Sequence, residues 1–381
     1  MAVNRRMLLL TGSTAIVITG AGWALTRGPK AARAPWRKAS EGFGDPRLDM
    51  LAYAILAPNP HNMQPWRIRL DGDDAFTVFC DLTRLLPETD PPNRQITIGF
   101  GCFLELVRQA AAEKGYRAEI SAFPEGEPFP TLDERPVAQV ILTSDDTVQR
   151  DPLFSEVLSR RTNRLPYDTA REVSENDLSA IAGVASPSVN AEVFAGAERI
   201  SALRTLTTEA WRTEWNTPQA RRESIAVTRI GKKEINAAPY GLALTGALME
   251  ALNKADILTR EKMDDPKTTA FEQSLLFYEK ACETAMAYAV IKTAANTRRD
   301  QLETGRTWVR MQLAANAAGV AFHPLSQALQ EFPEMAPHYD EAHRLLGAKA
   351  GETVQMLVRL GYAKDVPPAP REALTSRLIA V

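Results

Sequence analysis

The segment at 57–66 reads A-P-N-P-H-N-M-Q-P-W and places amide and imidazole groups between prolines. Its three prolines exclude a helix and predict a rigid, extended loop. Alternate side chains of an extended chain share a face, which would bring the amides of Asn62 and Gln64 to one side. Paired amide donors and acceptors suit a planar heteroaromatic ligand or a polyol chain. Alternatively, the loop is an ordinary proline-rich connection whose polar residues only satisfy backbone groups.

A second segment, 159–164, reads S-R-R-T-N-R and holds three guanidinium groups and a hydroxyl. Arginine suits phosphate because its planar fork donates two parallel, charge-assisted hydrogen bonds. The alternative is a solvated basic turn between a helix and a loop. Near the C-terminus, Arg371 follows the stiff stretch P-P-A-P at 367–370 and indicates nothing when taken alone.

A third segment, 319–326, reads G-V-A-F-H-P-L-S and follows a helix-like stretch. Its backbone N–H groups could face a ligand, although an ordinary helix-to-strand loop is the alternative. Other chemistries lack their motifs, since G-x-S-x-G, the Walker loop, G-x-G-x-x-G and H-E-x-x-H do not occur. Three scattered cysteines and four histidines indicate neither a disulfide framework nor a metal centre.

Length and composition are those of a globular chain. With 381 residues, 45% hydrophobic and 24% charged, the sequence excludes a disordered, collagen-like or polytopic membrane protein. The net charge of −2, from 45 bases and 47 acids, offers no general attraction to nucleic acid. Residues 1–34 hold five of the bases and no acid, so the basic character is confined to the N-terminus.

The N-terminus itself reads N-R-R-M-L-L-L at 4–10 and continues as a moderately apolar stretch to Leu25. This resembles a bacterial twin-arginine export signal, which would carry a folded, cofactor-loaded protein to the periplasm or the outer face of the membrane. A permanent anchor of about 19 residues is the alternative. Residues 32–34, A-R-A, have the form of a cleavage site, but Pro35 follows directly and would hinder processing.

The elements that position these segments follow from hydrophobic periodicity. We expect a short helix at 45–56, a hairpin of strands 66–70 and 74–80, a helix at 101–114 ending at Gly115, and a strand at 137–143. Residues 145–164 would join this part to the remainder. Mainly helical sequence between 174 and 284 predicts an inserted cap or lid.

A weak internal repeat links two parts of the chain. Residues 101–115 align with 305–319 without a gap, and both terminal glycines and two alanines coincide. The same register places Arg94 on Arg298, and downstream the strand at 137–143 has a counterpart at 354–360. The chain therefore reads as two related α+β halves, unless the match is the common pattern of helix, glycine and strand.

Together these segments resemble the nitroreductase family of flavin proteins, and more closely its fused, double-length Acg-like FMN-binding subgroup, over about residues 45–375. Segment 57–66 is similar to the family's A-P-S-x-x-N-x-Q-P-W, with Asn59 in place of the serine. R-R-T-N-R is similar to R-R-S-x-R, with Thr162 for serine. G-Y at 361–362, followed by P-P and Arg371, is similar to the closing G-Y-x(n)-P-P-x-x-R.

The resemblance implies an α+β, nitroreductase-like fold in which two fused halves, 45–150 and 151–381, form a pseudo-dimer. The helical insertion at about 174–284 would belong to the second half, and residues 1–34 would be the signal or anchor. The halves would share one FMN site. Position by position, the resemblance implies this set of cofactor-binding residues: Asn59, His61, Asn62, Gln64, Arg160, Thr162, Arg164, Pro324, Leu325, Ser326 and Arg371.

The resemblance assigns these residues to different parts of the flavin. Arg160, Thr162 and Arg371 would hold the FMN phosphate, and Arg164 would lie at the pyrimidine edge. The loop at 57–66 would contact the ribityl chain and the ring, with Gln64 and Trp66 bracing it, and 324–326 would present backbone near flavin N5. No catalytic side chain is implied, because the redox chemistry belongs to the cofactor.

The implied activity is an FMN-dependent oxidoreductase that transfers hydride to nitro-aromatic, quinone-like or other electron-poor acceptors, with NAD(P)H as the usual donor. An exported protein would need another donor, since NAD(P)H is confined to the cytoplasm. The alternatives are a flavin-sequestering or storage protein without turnover, and a binding protein for another planar ligand. Expected partners are small molecules and the export machinery, with no nucleic acid and membrane contact only through the N-terminus. We expect a monomer.

Overall fold

The computed structural model describes residues 28–380. Of the predicted export signal or anchor, 1–34, residues 1–27 lie outside the described residues. Between residues 28 and 380, no helix combines the length and the apolar character that crossing a membrane requires.

The first half comprises short helices, a hairpin, one long helix and two further strands: α1 (Ala34–Glu41), α2 (Pro46–Ala54), β1 (Trp66–Asp71), β2 (Ala75–Cys80), α3 (Arg94–Glu113), β3 (Tyr116–Ala122) and β4 (Ala138–Ser144). The strands form an antiparallel sheet in the order β1-β2-β4-β3. The predicted helix at 45–56 and the hairpin are confirmed. The helix predicted at 101–114 begins earlier, because Asp90 accepts hydrogen bonds from the free N–H groups of Gln95 and Ile96.

The second half contains more helices around a second sheet: α4 (Glu175–Ala182), β5 (Asn190–Phe194), α5 (Ala197–Asn216), α6 (Pro218–Ala226), β6 (Thr228–Ile230), α7 (Gly231–Ala237), β7 (Leu242–Leu244), α8 (Ala247–Lys254), α9 (Arg260–Asp264), α10 (Thr269–Glu283), β8 (Ala287–Thr293), α11 (Arg298–Ala317), β9 (Ala321–Pro324), α12 (Ala336–Leu345) and β10 (Thr353–Gly361). Single 3-10 segments lie at Ala31–Arg33, Pro60–Asn62, Leu82–Arg84, Pro152–Glu156, Gln327–Leu329, Pro333–Met335 and Leu374–Ser376.

The two halves repeat one topology. The second sheet is also antiparallel and has the order β5-β8-β10-β9, in which each strand occupies the place of its counterpart in the first sheet. In both halves the long helix follows the second strand and precedes the third. The predicted α+β class with two related halves is therefore confirmed.

The long helices α3 and α11 cross at the two glycines that the repeat aligned. A Cβ atom on Gly101 would lie 2.0 Å from the carbonyl oxygen of Leu302, and one on Gly305 would lie 1.9 Å from the carbonyl oxygen of Ile98. Both distances are far below contact, so only glycine permits this approach. The core that surrounds the crossing draws buried side chains from both helices and both sheets.

The arginines that the repeat aligned also fasten the halves to each other. Arg94 begins α3 and donates to the carbonyl oxygens of Leu329 and Gln355 in the second half. Arg298 begins α11 and donates to those of Pro92 (2.8 Å) and Pro130 (2.7 Å) in the first half. Each half therefore supplies one buried cation to backbone carbonyls of the other.

The inserted segment at 174–284 is helical in its larger part, but it also supplies β5, which pairs with β8 at the edge of the second sheet. Its helices enclose a separate apolar cluster around Trp211, Trp215 and Phe271. Residues 218–241 pack against the loop at 57–66, as the hydrogen bond from Gly241 N to Asn62 O (3.0 Å) records.

Candidate functional site

The loop at 57–66 is compact, and the prediction of an extended loop is wrong. Pro60–Asn62 forms a 3-10 turn. His61, Asn62 and Gln64 take left-handed φ angles of 46°, 56° and 52°, which L-residues adopt only where their surroundings enforce it. Because these residues reverse the chain, their side chains do not alternate along one face.

The amides of this loop are occupied by protein groups. The Asn62 amide donates to Pro370 O (3.1 Å) and accepts from the Arg371 guanidinium (2.6 Å). Gln64 is fully buried; its Nε2 donates to Pro239 O (2.8 Å), and its Oε1 accepts from Glu372 N (2.9 Å). The two side chains thus connect the loop to residues 367–372, which we call the C-terminal arm, and to the insertion. The expected pair of amides facing a ligand is not formed.

Two of the predicted arginines meet at the end of α2. Arg160 and Arg371 lie far apart in sequence, yet Arg160 Nη2 donates to Leu56 O (2.8 Å) and Arg371 Nη2 donates to the same oxygen (3.0 Å). Arg371 also reaches the carbonyls of Ile55 and Ala57, both at 3.0 Å. Carbonyls that follow a helix carry partial negative charge and attract cations. Both arginines are buried, with exposed fractions of 2% and 3%.

The buried charge at this point is uncompensated. Within residues 28–380, neither arginine has a carboxylate within ion-pair distance. Burial, reinforced by Arg161, lowers the pKa of Arg160 to about 10, and burial together with Arg160 and Arg161 lowers that of Arg371 well below its usual value. The Nε atom of Arg160 is buried without a hydrogen-bond partner in the part of the chain that is described. A dry, positive site with an unused donor suits an anion.

Thr162 stands beside this arginine cluster. Its hydroxyl oxygen accepts from Gln312 Nε2 at 3.2 Å, so its hydrogen is available to a further acceptor. Gln312 also accepts from Arg160 Nη1 (3.1 Å) through its Oε1 atom, which fixes its orientation.

Helix α1 covers the cluster with an aromatic ring that sequence reasoning missed. Trp36 lies between three guanidinium groups, with its ring centroid 5.5 Å from Arg160 Cζ, 5.0 Å from Arg161 Cζ and 5.5 Å from Arg371 Cζ. Its Nε1 donates to Ala369 O (2.8 Å). The negative face of an indole attracts cations, so Trp36 stabilises charges that lack a carboxylate. No motif in the sequence indicated this residue.

The segment before α1 is part of the folded body. Ala32, in the A-R-A stretch considered as a cleavage site, is 2% exposed, and its carbonyl accepts from Arg371 N (2.7 Å). A cavity of about 320 Å³ lies between this segment, the insertion and the C-terminal arm, and Pro35, Pro239 and Arg371 line it.

The other end of the site is a crevice around Arg164. The Arg164 side chain keeps contact with solvent, but the protein around it removes much of its hydration, and this desolvation lowers its pKa. Arg359 adds to the decrease, and Tyr278 opposes it. Burial and the nearby charge of Arg164 lower the pKa of His61 to about 4. Burial, Arg359 and Arg164 lower the pKa of His323 well below its usual value. The fold therefore brings Arg164 beside residues of the first and third segments.

The third segment offers less backbone than predicted. Pro324 has no N–H group, and Leu325 N donates to Leu357 O (2.8 Å) as part of the strand pairing. Of these predicted residues only Ser326 has an N–H group without an acceptor among residues 28–380. The Leu325 bond continues the antiparallel pairing of β9 with β10, a long-range effect that local sequence does not reveal, whereas the missing N–H of Pro324 follows from the residue type.

The insertion contributes polar groups that no motif indicated. Ser224 Oγ lies 3.0 Å from His61 Nε2, and the buried Glu214 accepts from Ser224 Oγ at 3.3 Å. Across the crevice, Tyr278 OH lies 3.4 Å from His323 Nε2 and accepts from Gln327 Nε2 at 3.2 Å. These residues are separated from the motifs by many positions, and only the tertiary fold joins them.

Comparisons with known proteins find relatives that carry nitroreductase names. No family model matches the chain. An uncharacterised protein of Mycobacterium tuberculosis is 33% identical over 130 residues, which cover 32% of this chain and 36% of that protein. The chain thus spans about a third of that relative's length. Another M. tuberculosis protein, provisionally named an NAD(P)H nitroreductase, is 25% identical over 339 residues, which cover 86% of this chain and 89% of the relative.

Solved structures show weaker similarity. A provisionally named nitroreductase from Anabaena variabilis has a TM-score of 0.44 and 12% identity, covering 84% of this chain and 88% of its own. The FMN-dependent nitroreductase NfnB from Mycobacterium smegmatis, solved in complex with NADPH, has a TM-score of 0.35 and 20% identity, covering 57% of this chain and 92% of its own. The chain is thus similar to relatives that carry nitroreductase names.

Proposed function

We propose that this chain is an FMN-binding oxidoreductase of the nitroreductase type. The observation that carries the proposal is that Arg160 and Arg371 meet in a buried position, where no carboxylate of residues 28–380 pairs with them. The Nε–H group of Arg160 is left without an acceptor in the same part of the chain. A phosphate monoester would supply the missing negative charge and accept a hydrogen bond from the Nε–H group of Arg160. The name of the relative that matches most of the chain supports the same class.

The residues present fit the cofactor at both ends. Arg160, Thr162 and Arg371 would hold the phosphate. Arg164 would lie at the pyrimidine edge, where a cation stabilises negative charge, and His61 would approach from the first half. When bound, FMN would carry two electrons as hydride between a donor and an electron-poor acceptor. The protein's part is to orient the cofactor and to exclude water from its phosphate end.

Gln64 takes a different part in this proposal. Since it is fully buried and both ends of its amide are bound to protein groups, it would hold the loop at 57–66 in shape. Asn62 has the same bracing part through Arg371, and it couples the loop to a phosphate-binding residue. Asn59 accepts from Gln64 N (2.8 Å) and would support the turn that presents His61.

Substrates and location belong to the proposal as well. The acceptors would be nitro-aromatics, quinones or similar electron-poor rings, and the donor would be NAD(P)H for protein that is still in the cytoplasm. Export by the twin-arginine route would place the protein in the periplasm or on the outer face of the membrane, where another reductant must act. The two halves of one chain would stand in for the two subunits of shorter relatives.

A storage function without turnover is a second candidate, because Trp36 and the insertion cover much of the site. Anaerobic reduction distinguishes the two. Full-length protein reconstituted with FMN is mixed with NADPH, then with a nitro-aromatic acceptor, while flavin absorbance is followed. Bleaching followed by reoxidation with stoichiometric loss of acceptor is the expected result. Flavin that stays oxidised with NADPH and, in a second mixture, with NADH, but is reduced by dithionite, would contradict an NAD(P)H reductase and favour storage.

A further inference from the structure

A line of hydrogen bonds leads from the crevice into the insertion. His61 Nε2 lies 3.0 Å from Ser224 Oγ, and Ser224 Oγ lies 3.3 Å from Glu214 Oε1. The other carboxylate oxygen accepts from Gln330 Nε2 at 3.1 Å. Glu214 is 2% exposed and has no cation within ion-pair distance in the described part of the chain. The proposed flavin site leaves this buried carboxyl group without a role.

The chemistry of the serine couples the two ends of this line. Ser224 has one hydroxyl hydrogen, so it donates toward either Glu214 or His61. An ionised Glu214 can only accept, in which case Ser224 donates to it and accepts from His61 Nε2–H, leaving a lone pair on Nδ1. A protonated Glu214 donates to Ser224, which then donates to Nε2, and the neutral imidazole carries its hydrogen on Nδ1.

We propose that Glu214, acting through Ser224, sets the tautomer of His61 and so decides whether Nδ1 donates or accepts a hydrogen bond at the cofactor site. Nδ1 has no hydrogen-bond partner among residues 28–380, and the charge of Arg164 lies near the same ring. Glu214 is thus a positioning residue. The inference rests on the proposed function only in placing a flavin beside His61.

We call this change of protonation at Glu214, with the accompanying change of the His61 tautomer, the switch. Burial and the surrounding groups place it near neutral pH. Burial raises the pKa of Glu214 to about 7, against hydrogen bonds from Gln330, Ser224 and Gln327, while the charge of Glu223 adds to the rise. His61 stays neutral over this range, since its pKa is lowered to about 4.

Three other ionisable groups lie near the line. Burial raises the pKa of Tyr278, which therefore stays protonated. The carboxylate of Glu223 accepts from Thr89 N (2.9 Å) and from the Thr89 hydroxyl (2.6 Å), and it has no hydrogen bond with Ser224 among residues 28–380. Arg164, beside His61, stays a cation throughout, because a guanidinium group is not deprotonated in proteins.

The proton count of the switch is simple. One proton is taken up at the Glu214 carboxylate as the pH falls. It arrives by relay: the imidazole takes a proton from solvent at Nδ1, its Nε2 hydrogen passes to Ser224 Oγ, and the former Ser224 hydrogen passes to the carboxylate. The net uptake is one proton, and no electron moves.

The test is a long-range ¹H–¹⁵N NMR spectrum of the histidine side chains in the full-length protein between pH 5.5 and 8.5. The chain has four histidines, and the variant His61→Gln assigns the signals of His61. The measurement uses protein without flavin and is repeated with FMN. We expect the Nε2–H form above pH 7 and the Nδ1–H form below it, with a midpoint near the Glu214 pKa of about 7.

Two variants and one control sharpen the result. In Glu214→Gln, the new carbonyl accepts from Gln330 and the new amide donates to Ser224, so His61 should hold the Nδ1–H form at every pH. Ser224→Ala should abolish the pH dependence. Glu223→Gln, a neighbouring carboxyl group outside the line, should keep the pH dependence and lower the midpoint only slightly, because the charge of Glu223 contributes less to the raised pKa of Glu214 than burial does.

Contradictory results are equally distinct. A His61 tautomer in the unmodified protein that does not change with pH would overturn the inference, and so would an unchanged midpoint in Glu214→Gln. The flavin-free titration separates this inference from the proposed function. If the His61 tautomer changes with pH as expected but the protein binds no FMN, the inference about Glu214 stands and the proposed FMN-binding function is contradicted.

Discussion

Replacing Arg160 by methionine should weaken flavin binding while leaving the flavin-free fold about as stable as before. The pKa of Arg160 falls from 12.5 to about 10, so holding the charge at pH 7 costs the flavin-free fold about 3 kcal/mol at 1.36 kcal/mol per pKa unit. Methionine removes this cost but leaves Gln312 Oε1 without its Arg160 donor and Leu56 O with Arg371 as its remaining donor, a loss of about 1–3 kcal/mol. These terms nearly cancel, and the free energy of unfolding should stay within about 2 kcal/mol of the parent value.

The flavin complex has no such cancellation. The variant loses a charge-assisted hydrogen bond to phosphate that is worth about 1.5–3 kcal/mol. At about 1.4 kcal/mol per tenfold, the Kd for FMN should rise by about 10- to 150-fold. Quenching of FMN fluorescence measures the Kd, and urea unfolding without FMN measures the stability.

A buried arginine elsewhere provides the matched control. Arg298 is 5% exposed, and its guanidinium donates to carbonyl oxygens of Pro92, Pro128 and Pro130. Arg298→Met should therefore lose about 3 kcal/mol or more of stability, because several buried acceptors lose a charged donor, while folded protein keeps its affinity for FMN. FMN affinity of Arg160→Met equal to that of the parent protein would refute the assignment of the phosphate site.

Three further predictions concern the crossing, the cover and the buried carboxyl group. Gly305→Ala should destabilise the fold by about 1–3 kcal/mol or more in urea unfolding, since the added Cβ would meet backbone, whereas Gly99→Ala, whose added Cβ would meet side-chain and backbone atoms at 3.1 Å or more, should cost less. Trp36→Ala should speed the release of FMN about fivefold or more in stopped-flow fluorescence, because about 1 kcal/mol or more of cation–π stabilisation of the arginines is lost, and an unchanged rate would remove Trp36 from the site. Glu214 has a pKa raised from 4.5 to about 7, so its stabilising effect is complete below pH 4.5 and is lost as the pH rises through 7. Glu214→Gln should lack this loss of about 3 kcal/mol when unfolding is measured from pH 4.5 to 8, and a parallel loss in both proteins would contradict the shift.

Local pattern was sufficient for much of the fold. The hairpin at 66–80 follows from alternation around a Gly turn, and the aligned glycines and arginines of the sequence predicted the symmetry at Gly101 and Gly305. The strand β3 was not predicted, because its side chains alternate between half-buried and exposed at the sheet edge and include Arg117 and Glu119. An edge strand carries charges that a periodicity argument assigns to a loop.

The candidate site shows where such reasoning ends. Arg160, Arg164 and Arg371 could be singled out by residue type and resemblance, and the fold places Arg160 and Arg371 on one carbonyl. The left-handed turn at His61 could not be predicted, since three prolines fix their own φ angles but not those of the residues between them. Trp36 and Glu214 reach the site only through tertiary packing, and no local motif marks either residue.

The most direct test of the central claim compares FMN with riboflavin, which lacks the phosphate. Full-length protein freed of bound flavin is titrated with each compound while flavin fluorescence is followed. At least two charge-assisted hydrogen bonds to the phosphate, about 1.5–3 kcal/mol each, should make FMN bind about 100-fold tighter or more. Equal affinities for the two flavins, or no binding of either, would contradict an arginine cluster that holds the FMN phosphate.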